Sequence, residues 1–317
     1  MARRRWLVLA FRVAVSAAML AFLLTRFHLS TLMPTWHAST FAWLVAGLVL
    51  TFSGIVLATV RWQRVATGLD LRGRLSTLLS HYLAGLFVGN FLPSTIGGDV
   101  LRITRLSADT GDPPASFASV VLERLSGWIV LPLLTLVGFA VHPSLLNLGT
   151  ASRVALFLSL GALAVLAVLI TAGASPHLGG RLAHNQGWLR FIGAIHLGME
   201  RFRRQPAAAA AVIGVSLAYQ LIVVVAAWVA SQALGLHLGI TVLLAFMPAV
   251  AMAQVLPISV SGLGLREGAL VLFLRPLGVS YGHAIALGLL VYGLNLAVSL
   301  LGAPAFAVGG RPVRATA

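Results

Sequence analysis

The sequence predicts an all-α polytopic membrane protein built as two inverted-topology repeats, each with about three transmembrane helices and one re-entrant (or short two-helix) hairpin. Three observations lead there. The 317 residues are 59% hydrophobic and only 9% charged, with a mean hydropathy of +0.97, where a soluble domain carries about 25% charged residues. The apolar runs are long and do not alternate with period two, which selects helices over barrel strands. Finally, two Pro/Gly-broken segments, 164 residues apart, repeat each other without a gap: Asn90-Phe-Leu-Pro-Ser-Thr-Ile-Gly-Gly-Asp-Val-Leu-Arg102 and Gln254-Val-Leu-Pro-Ile-Ser-Val-Ser-Gly-Leu-Gly-Leu-Arg266. Paired broken segments in the two halves of a membrane protein point to a transport site. No stretch is polar enough for a soluble domain, so residues 1–317 read as a single membrane domain, with repeats over about 1–150 and 151–317.

The elements follow in order. Arg3, Arg4 and Arg5 precede a first apolar span, Trp6 to Phe27. It is too long, and followed by too many further spans, for a cleaved signal peptide. A second span is predicted from about Ser39 to Val60. Arg61 and Trp62 then read as interface anchors, a snorkelling cation beside an aromatic-belt residue. The first broken segment runs from about Leu75 to Arg105. A polar loop over Ser107 to Pro114 leads to a third span, about Ala115 to Val141. The second half repeats this order: a span from about Val154 to Ala172, a basic loop with Arg181, Arg190, Arg201, Arg203 and Arg204, and a span from about Ala207 to Leu234. A broken segment from about Ile240 to Leu274 and a last span, Tyr281 to Val308, complete it.

Net charge is +15 and every basic residue is arginine. With both termini in the cytoplasm and each broken segment leaving on the side it entered, sixteen of the twenty-two arginines fall on the cytoplasmic side and three outside. That is the positive-inside bias. It puts the first hairpin in from the cytoplasm and the second from outside.

Breaks at Pro93 and Pro257 free backbone groups, which the hydrocarbon zone tolerates only inside protein or along a wet cavity. Gly97 and Gly98, then Gly262 and Gly264, restart the chain as helix, and helix N-termini attract anions. Asn90 flanks the first break. Arginine grips phosphate bidentately, so Arg102, Arg124 and Arg266 are the expected phosphate ligands. Seven acidic residues are present. Asp70, Asp109, Asp112 and Glu200 read as solvated loop residues. Asp99, Glu123 and Glu267 fall in or beside membrane segments, where an ionisable group is costly and functional by default. They read as orienters of the arginines or ligands of a cationic headgroup, with an N-cap as the other role of Asp99. Nine histidines are scattered without metal-ligand spacing, and there is no cysteine. No metal or cofactor is expected. The segment from Gly262 to Gly268 lacks the strand and spacing of a nucleotide loop.

Together these residues resemble a known family. Arg61-Trp62, Gly89-Asn90-Phe-Leu-Pro93, Gly97-Gly98-Asp99-Val100-Leu-Arg102, Val120-Val-Leu-Glu123-Arg124, and Leu256-Pro257-Ile-Ser with Gly262-Leu-Gly264-Leu-Arg-Glu267 are similar to the lysylphosphatidylglycerol synthase transmembrane-region family. That region is the flippase half of the bacterial multiple peptide resistance factor. The resemblance implies movement of a polar lipid between leaflets of the bacterial inner membrane. The lipid is left open among phospholipid, aminoacyl-lipid, glycolipid and hopanoid. The chain ends at Ala317 without the aminoacyl-transferase domain, so a transporter, not an enzyme, is expected, with a lipid-synthesising enzyme encoded separately as a partner and no nucleic acid. Three other classes stay open on sequence: an intramembrane lipid-modifying transferase, a small-solute permease, and a structural partner of a synthase.

Overall fold

The computed structural model describes residues 38–91, 97–174, 190–255 and 262–308. The predicted first span, Pro93 and Pro257 lie outside them. The described chain is helical: α1 (Ala38–Gly68), α2 (Leu75–Phe91), α3 (Gly97–Thr110), α4 (Pro113–Val141), α5 (Thr150–Ala174), α6 (Arg190–Arg204), α7 (Pro206–Ala233), α8 (Ile240–Ala253), α9 (Leu265–Leu274), α10 (Tyr281–Ser299) and α11 (Gly302–Val308), with short 3-10 turns after α4 and α9. Among them, α1, α4, α5, α7 and α10 are long and apolar enough to cross a bilayer. The arms of the broken segments are shorter. At 1.5 Å per residue, α2, α3, α8 and α9 measure about 26, 21, 21 and 15 Å, against a hydrocarbon core of ~30 Å.

Local chemistry sets the helix ends. Asp112 caps α4 by accepting the Ala115 N–H at 3.0 Å, ahead of Pro113 and Pro114 in the first turn. Ser280 caps α10 by accepting the His283 N–H. Proline at a first turn wastes no hydrogen bond, and an oxygen at the cap satisfies a donor that the helix cannot. Asp112 is thus a structural residue and not a merely solvated one. Arg105 ends α11 from a distance. Its guanidinium is buried and donates to the carbonyls of Ala305 and Phe306 at 3.0 and 3.1 Å. These are among the carbonyls that a helix C-terminus leaves unpaired.

Two apolar cores form. In one, α8 is surrounded by α4, α5, α7 and α9. Leu243, Phe246 and Val250 have no exposed surface, and Phe246 stacks on Phe273 of α9 and meets Phe139 of α4 edge-on. A helix apolar on every side belongs inside protein, so α8 is a core helix and not a lipid-facing one. The other core gathers Trp62, Leu78, Leu106 and Leu122 from α1 to α4. α1 and α7 pack along much of their lengths, with Trp43 edge-on to Trp228. The outward faces are apolar too: Phe157 is 77% exposed and Val168 66%. An apolar surface of this kind on α5 fits lipid and not water.

Three sequence expectations need correcting. The predicted basic loop is, over its second half, the helix α6. Ala194, Ile195, Gly198 and Phe202 recur at helical spacing and turn inward, while Glu200, Arg201, Arg203 and Arg204 lie outside. The arginine density hid the period. Its Arg201 pairs with Asp70 and its Phe202 fills the space over Gly68. The last span, expected unbroken to Val308, divides at Leu300 and Leu301 into α10 and α11. The polar loop after the first hairpin is shorter than expected because α3 continues to Thr110. That continuation brings Asp109 within 2.7 Å of His81 on α2, so Asp109 is paired.

Candidate functional site

Residues that flank the two breaks line one cavity. A cavity of about 250 Å³ is lined from the first by Tyr82, Asn90, Gly98, Asp99 and Arg102, from α4 by Arg124, and from the second by Gln254 and Gly262. Both broken segments therefore contribute side chains to one space. The helix α3 starts at it. Gly262 and Gly264, with φ of +74° and +81°, turn the chain beside it into α9. Such angles suit glycine and strain other residues.

A charge network underlies the cavity. Glu123, on α4, is 1% exposed. One of its oxygens accepts from Arg61 of α1, and the other accepts from both terminal nitrogens of Arg102 at 3.3 and 3.2 Å. Arg102 is sandwiched, its guanidinium carbon 4.2 Å from the Trp62 ring and 4.3 Å from the Tyr82 ring. Arg61 lies over Tyr219 at 4.9 Å. These cation–π contacts and the ion pairs replace water around buried guanidiniums. Asp99, one helical turn before Arg102, sits 3.5 Å from it and accepts from Nε of Arg124 at 2.5 Å. Arg124 is the exception to burial: its side chain is 53% exposed. Its Nε is fixed by Asp99 while its terminal nitrogens remain available to the cavity.

The second broken segment contributes a simpler arrangement. Nε of Arg266 donates to the Gln254 side-chain oxygen at 3.0 Å, and its guanidinium lies 5.1 Å from the Tyr292 ring. Glu267 accepts the Gly264 N–H at 2.6 Å, stands 3.8 Å from Arg266 and is packed against Gly288. Four arginines, Arg61, Arg102, Arg124 and Arg266, thus meet three carboxylates, Asp99, Glu123 and Glu267. The cluster carries one more positive than negative formal charge.

Of the residues singled out from sequence, Asn90, Asp99, Arg102, Arg124, Gly98 and Gly262 line the cavity. Glu123 lies beneath it, Arg266 reaches it through Gln254, and Glu267 holds the start of α9. Asp99 is not the N-cap of α3, which begins two residues earlier; its carboxylate is turned to arginines instead. Glu123 neutralises Arg102 but not its neighbour Arg124, which turns to Asp99. The interface role of Arg61 and Trp62 is overturned. Trp62 has no exposed surface and Arg61 only 5%, because Glu123 and Ser119 offer them better partners than water. The indole N–H of Trp62 donates to the Ser119 hydroxyl at 3.0 Å. Ser119→Ala orphans that buried N–H, and a loss of about 1–3 kcal/mol is expected, measured as a lower unfolding midpoint in detergent.

Sequence reasoning missed Tyr82, Gln254 and Asn295. Asn295 of α10 accepts from Asn90 at 3.3 Å. The signal for Gln254 was present, since it occupies the position of Asn90 in the repeated segment. Tyr82 and Asn295 carry no local signal. Among the described residues, no three His, Asp or Glu side chains gather as a metal site requires.

Residues 9–302 match the family described as the lysylphosphatidylglycerol synthase TM region. The chain belongs to that family. The match spans both hairpins and every residue of the cavity, so the lysylphosphatidylglycerol synthase TM region is the setting in which this arginine cluster is to be read. Family membership and the membrane-length helices make the chain a multi-pass membrane protein tied to lipid handling. No individual curated protein matches it.

Proposed function

We propose that the protein is a lipid translocase of the bacterial inner membrane, moving a phosphate-bearing polar lipid between leaflets with its headgroup in the cavity and its chains in lipid. The observation that carries this reading is the cavity itself: two broken hairpins converge on a space lined by Arg102 and Arg124 over a cluster with one surplus positive charge. A surplus guanidinium suits an anionic phosphodiester. Arg124 is the exposed ligand, its terminal nitrogens free to meet phosphate, while Arg102, clamped between rings and Glu123, supplies fixed field. Asn90 and Gln254 offer amides to the polar remainder of the headgroup.

The two halves act as inverted repeats in this reading. α1 and α7 are the equivalent central helices and pack together, and each hairpin enters from its own side and returns. Rocking of one repeat against the other would alternate access. The arginine distribution supports cytoplasmic termini. The activity is transport and not chemistry, and the lipid is delivered by a separately encoded synthase.

The test is translocation of a labelled phosphatidylglycerol in vesicles holding the purified protein. Arg124→Gln removes a charge-assisted contact of about 1.5–3 kcal/mol, so the rate should fall about ten- to a hundred-fold. The half-exposed side chain leaves the fold intact, checked by an unchanged unfolding midpoint. A wild-type rate in the folded variant would overturn the reading.

A further inference from the structure

A second, smaller cavity of about 90 Å³ lies between α1, α7 and α10. Its walls are aliphatic. Leu50, Ile222, Val223 and Val291 are half-buried around its mouth, and Ile55 and Leu294 are buried in its floor. The cleft therefore opens sideways on the bundle. Thr51 offers it little polarity, since its hydroxyl is already committed to the Gly47 carbonyl at 2.7 Å. Gly54 sets its width: a Cβ there would meet Ile222 at an ordinary 3.6 Å, so any longer side chain enters the cleft.

The end of the cleft is what connects it to the headgroup. Asn295 lines the cleft, and its side-chain oxygen accepts from Asn90, which lines the arginine cavity. Tyr219 lines the cleft as well, with Arg61 over its ring. One amide contact thus separates an apolar, laterally open slot from a polar, arginine-lined one.

We infer that this cleft is an acyl-chain site that takes one hydrocarbon chain of the translocated lipid, with the Asn90–Asn295 pair as the divide between chain and headgroup. That the chain belongs to a lipid whose phosphate lies beside Arg124 rests on the translocase reading above. The narrow, aliphatic slot has room for a short stretch of one flexible chain, the rest of which lies outside it.

The full chain is reconstituted in phosphatidylcholine vesicles containing phosphatidylglycerol with a mid-chain diazirine, irradiated, and its adducts are mapped by mass spectrometry. Labelling over residues 50–55 and 222–227 is expected to exceed, several-fold, that of Phe157 and Val168 on the open face of α5. Gly54→Leu, which fills the slot, should reduce it to that background, and Gly54→Ala, which fits, should retain it. Equal labelling of cleft and α5, or cleft labelling unaffected by Gly54→Leu, overturns the site. Arg124→Gln separates the two readings. If translocation needs Arg124 but the cleft is never labelled, the chain site fails and the headgroup site stands. If the cleft is labelled while Arg124→Gln translocates normally, the chain site stands and the headgroup site fails.

Discussion

Glu123→Ala is expected to destabilise the protein by about 3–5 kcal/mol, seen as a large drop in its unfolding midpoint in detergent or failure to accumulate folded. The carboxylate is the single negative group shared by Arg61 and Arg102, each about 5% exposed or less. Taking it away leaves two buried guanidiniums facing each other across a void, Arg61 without its carboxylate and Arg102 with only the longer 3.5 Å contact to Asp99. The sign of a second substitution tests this account. In a Glu123→Ala protein, Arg61→Met removes one stranded charge and puts an apolar side chain of comparable length in its place, so the double variant should be more stable than Glu123→Ala alone. Simple addition of two losses would show that the pair is not coupled. Glu123→Gln should fall between, since the amide oxygen still accepts one guanidinium but carries no charge. This behaviour also separates Glu123 from Arg124, whose loss should leave stability alone and slow translocation.

The twin broken segments are legible because their determinants are local. Proline and glycine interrupt an apolar run, arginine closes it, and the copies align without a gap, so Asn90 and Gln254, or Gly98 and Gly262, announce equivalent places. That the two ends share one cavity follows from the fold, although the repeat made it the natural expectation. Arg61 and Trp62 were misread for the opposite reason. An arginine beside a tryptophan at the end of an apolar run looks the same whether it snorkels or is buried, and the decision rests with Glu123, 62 residues away. Asn295 illustrates the same limit, being 205 residues from Asn90. α6 shows a different failure. Its helical period is present in the sequence, but five arginines between 181 and 204 give the segment the composition of a loop.

The crossing of the first hairpin's arms gives the other large effect. α2 and α3 touch backbone to backbone at Gly85 and Gly98: a Cβ on Gly85 would stand 2.8 Å from the Gly98 carbonyl oxygen, and one on Gly98 would lie closer still to the Gly85 carbonyl oxygen. Neither obstacle is a side chain that can swing away. Gly98→Ala therefore has to push the arms apart, and overpacking of this kind costs about 1–3 kcal/mol, occasionally more. The displacement falls on the site, because Asp99 and Arg102 ride on α3 while Tyr82 rides on α2. Arg102 would lose its fit between Tyr82 and Glu123, and Asp99 its hold on Arg124. Gly98→Ala is thus expected to lower stability and translocation together. Gly161→Ala, on the exposed face of α5 with nothing within 4 Å of the added Cβ, is the control and should be neutral or stabilising by about 0.4–1 kcal/mol. A Gly98→Ala protein with wild-type stability would mean that the arms do not pack through these two glycines, and the cavity would then lose the wall that holds Arg102 in place.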